Sequence, residues 1–384
     1  MPKGYVHLFK ETNASTKASM KKKYIFATAL LIICSLHNFA QSFAVKIDSL
    51  LTTSNSFYAA SNNLIQYTGR IDFRNNKIPR FWSPGVYISL KFKGTAITAI
   101  INDQELWGKN HNYLEIIVDG EKKRIQTKYK TNYITISKLP DAFHTLTICK
   151  NTESNIGYTE FGGVYCNMLL NSPAKPKHKI EFIGNSITCG TGSDMSEIGC
   201  GKGVWQDQHN AYMAYGPVTA RTLNAQWSLS AVSGIGLMHS CCNMNIVMPP
   251  VFDKIDLRGD SLQWDFNNYQ PDAITVCLGQ NDGIQDSIIF CKAYISFIKQ
   301  LRSHYSKAQI VLLTSPMADE KLKAVLKNQI SSIVKFLNKK GDKKISKYFF
   351  TRSFNSGCDY HPDLNEHQLI AKELSAYLKK LMHW

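Results

Sequence analysis

The second half of the chain alternates two kinds of apolar pattern. Residues 179–183, 227–232, 273–278 and 309–314 are short apolar runs with many β-branched side chains, as in buried strands. Residues 287–305 and 365–381 instead carry apolar side chains at helical spacing. Strands alternating with helices predict a parallel sheet covered by helices on both faces. Upstream the pattern changes. Residues 87–92 alternate apolar and polar, and residues 113–118 run into an Asp119-Gly120 turn, with no helical periodicity nearby. That half predicts a β-sandwich or jelly roll. The proline-bearing, polar stretch 173–178 reads as a linker. The predicted organisation is an upstream extension and signal peptide over 1–41, a β-domain over 42–172, and a three-layer α/β/α domain over 179–384.

Three short segments in these settings carry chemistry. Gly184-Asn185-Ser186 follows the run 179–183, so Ser186 sits on a turn leaving a strand's carboxyl end, where open α/β sheets place ligands. The Gly- and Thr-rich residues 187–192 do not read as a helix interior, and a cap or turn is the structural alternative for Ser186. Gly279-Gln280-Asn281-Asp282 ends the run 273–278 and puts the Asn281 amide on the same rim, with a plain turn as the alternative. In Asp359-Tyr360-His361-Pro362 the two-residue spacing places Asp359 and His361 on one side of an extended segment. Asp359 would then hold the imidazole tautomer of His361. His367 is a rival histidine, carried away by the helix over 365–381. A hydroxyl nucleophile, a base and an amide donor make the set that acyl transfer needs.

These blocks resemble the SGNH (GDSL-like) hydrolases, with Asn185 where that superfamily usually has aspartate. The short Asp-x-His-Pro block, with Tyr360 in a tryptophan position, is similar to carbohydrate esterase family 2. Gly69-Arg70, residues 79–85, Val118-Asp119-Gly120, Ile148-Cys149-Lys150 and Phe161-Gly162-Gly163 resemble that family's N-terminal β-sandwich. Asn210-Ala211-Tyr212 with Thr219-Ala220-Arg221 resembles the first catalytic-domain helix. The resemblance runs from about Gly69 to the C-terminus. It implies a two-domain acetyl esterase acting on plant polysaccharides, some relatives of which work with a Ser-His dyad lacking the acid. It also implies a glycine in the oxyanion hole. Gly234 of Ser233-Gly234-Ile235-Gly236 is the matching choice, with Gly236 the fallback. The hole would combine the N–H groups of Ser186 and Gly234 with the Asn281 amide.

Neither a metal nor an organic cofactor is called for. Flat apolar surfaces for a sugar ring are sought in Trp264, Trp205 and Tyr212, each also readable as core. Two alternatives stay open: an SGNH esterase or lipase on another ester, and a non-catalytic glycan-binding protein.

At 384 residues and 44% apolar content the chain has room for two cores. Met20-Lys21-Lys22-Lys23 and the apolar run 24–36 form a basic start and hydrophobic stretch like those of a signal peptide. The run is too short to favour a membrane span, and the bulky residue before Cys34 argues against a lipoprotein anchor. Secretion or periplasmic placement follows as the expectation. Loss of residues 1–40 would lower the formal charge from +16 to +11. The lysines are scattered and no nucleic-acid motif accompanies them, so they read as solvated surface. Nine cysteines remain after Cys34, an odd count that leaves at least one unpaired. Cys189 and Cys200 could close the loop after Ser186, Cys241-Cys242 is an adjacent pair, and Cys277 reads as inert packing.

Overall fold

A computed structural model describes residues 42–259 and 262–384. The signal-peptide reading, including Met20 and Cys34, lies outside the described residues. Residues 43–384 form one compact unit, built on two sheets.

Ten strands make the first sheet: β1 (Ala44–Asp48), β2 (Ser56–Ala59), β3 (Gln66–Thr68), β4 (Arg80–Phe81), β5 (Tyr87–Asp103), β6 (Tyr113–Val118), β7 (Glu121–Gln126), β8 (Thr131–Ser137), β9 (Ala142–Lys150) and β10 (Thr159–Leu170). The pairings are antiparallel. The long β5 curls the sheet. Its residues Tyr87–Gly94 pair with β9 and Ile97–Asn102 with β8, and at the end of the first stretch Gly94 takes φ +131°, which side chains rarely tolerate. Alternate residues point inward along each layer, so Ile88, Leu90, Phe92, Ile134, Ile136, Leu146 and Ile148 share one core. The β-sandwich expected from the alternating pattern is present.

The second sheet is parallel: β11 (His178–Gly184), β12 (Ala225–Ala231), β13 (Ala273–Val276), β14 (Gln309–Leu313) and β15 (Ile345–Tyr348), in the order β12-β11-β13-β14-β15. The helices Ser287–His304 and Glu320–Lys339 bury their apolar stripes on one face. Tyr215–Thr222 and Leu364–Met382 cover the other. That is the three-layer α/β/α arrangement, and β11 lies between β12 and β13. Gly184 is level with Ala231, and Ile183 with Val276. The chain leaving these three neighbouring strands therefore emerges on one rim. Ser186, Ser233-Gly234 and Asn281 are the residues that follow.

The two sheets are fastened by buried polar contacts. The Arg70 guanidinium donates to Ser230 Oγ at 3.1 Å, to the Phe252 carbonyl at 2.5 Å and to Glu181 Oε1 at 3.2 Å. Trp227 Nε1 donates to the Gly85 carbonyl, and its ring stacks on Tyr87 at 4.1 Å. Gly85 is required there, since a Cβ would meet Leu229 Cδ1 at 2.7 Å. The segment read as a linker is no loose tether: the Pro173 carbonyl accepts from Gln66 Nε2, and Ser172 Oγ donates to the Leu64 carbonyl. Among the described residues no helix is long and apolar enough to cross a membrane.

Candidate active site

Ser186 opens a single helical turn, Ser186–Cys189, rather than an irregular loop. The turn is capped by Asn185, whose side chain accepts the Ile187 N–H at 3.2 Å, so Asn185 does the capping and leaves the Ser186 hydroxyl free for other work. Gly190 ends the turn at φ 73°. Gly184 is fixed by close approach, because a Cβ there would lie 2.0 Å from Thr188 Oγ1.

His361 reaches Ser186 from the C-terminal segment: Nε2 lies 2.8 Å from Ser186 Oγ. Nδ1 lies 3.1 Å from the carbonyl oxygen of Cys358. A carbonyl can only accept, so the ring proton sits on Nδ1 and the Nε2 lone pair faces the hydroxyl. Burial holds the His361 pKa below the ordinary imidazole value, against the opposing pull of the Cys358 carbonyl and the Asp359 charge. The ring is thus neutral and able to take a proton at neutral pH.

The Asp359 pairing inferred from spacing is not the one observed. Asp359 and Tyr360 both take left-handed backbone, φ 53° and 58°, so the segment is a tight turn and the period-two argument does not apply. The Asp359 side chain is exposed, and the imidazole is oriented by the carbonyl instead. His367 is a core residue: it is fully buried, Nδ1 accepts the Tyr215 N–H at 3.1 Å, and burial pushes its pKa down to about 3.

The oxyanion candidates fall into one connected patch. Thr191, whose N–H donates to the Ser186 carbonyl, hydrogen-bonds through Oγ1 to Ser233 Oγ at 2.6 Å. Asn281 Nδ2 donates to the Ile235 carbonyl at 2.8 Å, which leaves its second amide hydrogen for another acceptor. Gly234 takes φ +83°. The N–H of Gly236 is committed to Ser240 Oγ at 3.0 Å, and a Cβ at Gly236 would meet the His239 carbonyl at 1.8 Å. The Gly236 N–H is thus committed elsewhere, which leaves Gly234 as the candidate donor. Asp282 fixes this loop by accepting the N–H groups of Leu237, Met238 and His239.

Sequence reasoning missed two supports. Glu153, from the loop after β9, is fully buried; its Oε2 accepts the Ser233 N–H at 2.5 Å and the Cys189 thiol at 3.4 Å. Burial pushes the Glu153 pKa up, and burial pushes that of the neighbouring Lys150 down to about 7. Nothing in the local sequence marks Glu153, because it comes from a loop of the β-sandwich, far in sequence from Ser233. Cys358 is the second. It is bonded to Cys200, not Cys189 to Cys200 as the loop-closing reading had it; Cys189 is a free, buried thiol. Cys241 and Cys242 form a vicinal disulfide, and Cys277 is buried and free.

The apolar surfaces need revision. Trp264 is 6% exposed, packs with Trp82, Ile255 and Tyr269, and lies over the Arg70 guanidinium. It shares a 260 Å³ cavity with Lys179 and Gln226, which lie at the amino ends of β11 and β12, away from Ser186. Tyr212 packs against Arg221 and Trp227 in the core. Trp205, 43% exposed with its ring edge-on to His209 at 4.2 Å, remains open to a ligand, and so does Tyr360 at 77% beside His361.

A buried serine paired with a tautomer-fixed histidine, on the carboxyl rim of a parallel α/β/α sheet, defines a serine hydrolase of the SGNH type. Residues 182–340 match the GDSL-like Lipase/Acylhydrolase family, and residues 67–173 match the Carbohydrate esterase 2 N-terminal family. The chain is 31% identical over 338 residues to the cellulase/esterase CelE of Acetivibrio thermocellus, covering 83% of this chain and 40% of that protein's length. It is 28% identical to an acetylxylan esterase / glucomannan deacetylase of Cellvibrio japonicus, covering 87% and 93% of the two chains. A solved family two carbohydrate esterase from Clostridium thermocellum, in complex with cellohexaose, superposes with a TM-score of 0.77 at 30% identity, covering 83% of this chain and 99% of that one. The chain belongs to carbohydrate esterase family 2.

Proposed function

We propose that this protein is an exported acetyl esterase that removes O-acetyl groups from plant cell-wall polysaccharides, xylan or glucomannan, through an acetyl-enzyme. The observation that carries the reading is the 2.8 Å contact of Ser186 Oγ with His361 Nε2, with the opposite ring nitrogen held on a carbonyl. Ser186 Oγ attacks the acetyl carbonyl carbon as Nε2 takes the hydroxyl proton. The carbonyl oxygen, now negative, is held by the N–H groups of Ser186 and Gly234 and by the Asn281 amide. The tetrahedral centre collapses, the sugar oxygen leaves, and Nε2 returns the proton to it. Water then repeats the two steps on the acetyl-enzyme and acetate departs. Tyr360, next to His361 in the chain, and Trp205 are the exposed rings we assign to a sugar face. The acetylxylan esterase / glucomannan deacetylase relatives support the substrate class.

The test is acetate release by the purified protein from acetylated xylan and acetylated glucomannan, with a long-chain lipid ester and the Ser186→Ala variant alongside. Acetate from a polysaccharide, lost in Ser186→Ala, is expected. Preference for the lipid ester would move the substrate class, and equal release by folded Ser186→Ala would overturn the site.

A further inference from the structure

We propose that the Cys200–Cys358 disulfide is a positioning device for the histidine base, doing through a backbone carbonyl what a carboxylate does in a three-residue triad; this rests on the esterase reading above. Cys358 has two attachments that matter here. Its carbonyl oxygen faces His361 Nδ1 at 3.1 Å and also accepts the His361 N–H at 3.0 Å. Its sulfur is bonded to Cys200, in the loop that follows the nucleophile turn. One residue therefore ties the base to the segment leading from the nucleophile.

The turn between carbonyl and imidazole needs such an anchor. Asp359 and Tyr360 are consecutive non-glycine residues with positive φ, a conformation that persists only where the surroundings over-determine it. The surroundings here are few and identifiable. The Cys358 N–H donates to the Gly192 carbonyl at 2.8 Å, and the Gly357 N–H donates to the His361 carbonyl at 2.6 Å. Gly192 and Gly357 meet so closely that a Cβ on Gly357 would lie 2.7 Å from the Gly192 carbonyl oxygen. Ser356, just upstream, is held by the Glu366 carboxylate, and at Cys358 itself the anchor is covalent. Asp359 and Tyr360 are both exposed, so their side chains add little to hold the turn. A carbonyl cannot follow a displaced ring as a rotatable carboxylate can. Its position is set by the backbone alone, and the disulfide fixes that backbone.

The tests are Cys200→Ser, which cuts the bridge and leaves residue 358 unchanged, and the double variant Cys200→Ser/Cys358→Ser. Each is assayed on an acetyl ester well below its melting temperature. The expected result is a fall in kcat of about tenfold or more with KM little changed, together with a displaced acid limb of the pH–rate profile. A bridge that only stabilised the fold would lower the melting temperature and leave both kcat and the limb in place. That outcome would overturn the proposal. Wild-type protein run in parallel separates the two readings: an inactive wild type sinks the esterase assignment, whereas an active wild type with fully active variants sinks only the role of the bridge.

Discussion

Asn281→Ala perturbs two things the structure allows to be told apart. One amide hydrogen of Asn281 is spent on the Ile235 carbonyl at 2.8 Å, and the other is the proposed oxyanion donor. Removing a neutral hydrogen bond of the first kind costs about 0.5–1.5 kcal/mol of stability. For a folded unit of this size that lowers the melting temperature by only a degree or two, roughly. Removing an oxyanion donor costs about 2.7–4 kcal/mol in the transition state, or about 100- to 1,000-fold in kcat. The second effect acts where charge develops, so KM should hardly move. Steady-state kinetics on an acetyl ester and a thermal melt of the same preparation read the two separately. A small drop in melting temperature with kcat within a few-fold of wild type would refute the oxyanion role and leave Asn281 as a loop brace.

Asp359→Ala should retain most of the activity at neutral pH, because its carboxylate does not orient the imidazole. Burial already lowers the His361 pKa and the Asp359 charge opposes that shift, so its loss should move the acid limb of kcat/KM to lower pH; an upward move, or loss of activity across the pH range, would restore Asp359 as an essential acid. Glu153→Ala should lower kcat with little change in KM, since the Ser233 N–H loses its acceptor and the position of the adjacent Gly234 is no longer braced. Glu153→Gln keeps an acceptor oxygen and should recover much of the rate, and equal damage by both substitutions would point to charge rather than placement.

The parts of the site legible in the sequence are those whose position is set by the sheet. Ser186 and Asn281 each follow a short apolar strand and a glycine, and neighbouring parallel strands deliver such residues to one rim whatever the loops do. His361 is marked by the Asp-x-His-Pro block and by Asp359 two residues before it, not by its place ahead of a helix. The failures share a different cause. Spacing gives side-chain direction only on regular backbone, and residues 359 and 360 are both left-handed, so it is the Cys358 carbonyl rather than the Asp359 carboxylate that meets Nδ1. Proximity in sequence suggested Cys189 for Cys200, whereas the bridge spans 158 residues. Trp264 stands shortly before the strand that carries Asn281, yet a strand's amino end lies opposite its catalytic rim. Its closeness in sequence to β13 therefore placed it at the wrong end of the sheet.

A dyad of this kind can work without a carboxylate for a reason the geometry supplies. The third member of a triad has two duties, to set the tautomer and to stabilise the imidazolium. The Cys358 carbonyl performs the first completely, because it has no hydrogen to donate and so excludes the wrong tautomer. It performs the second weakly, as a partial charge opposing an ion in a site where burial already disfavours that ion. The His361 base is consequently a weak one, and transition-state stabilisation has to come from the other side of the reaction, where negative charge collects on oxygen. Several supports are gathered on the side of the proposed oxyanion hole. Glu153 crosses from the β-sandwich to hold Ser233, Asp282 accepts three successive N–H groups of the same loop, and Asn281 braces Ile235. Through Glu153 the β-sandwich thus braces the loop that carries Ser233 rather than only flanking the candidate site.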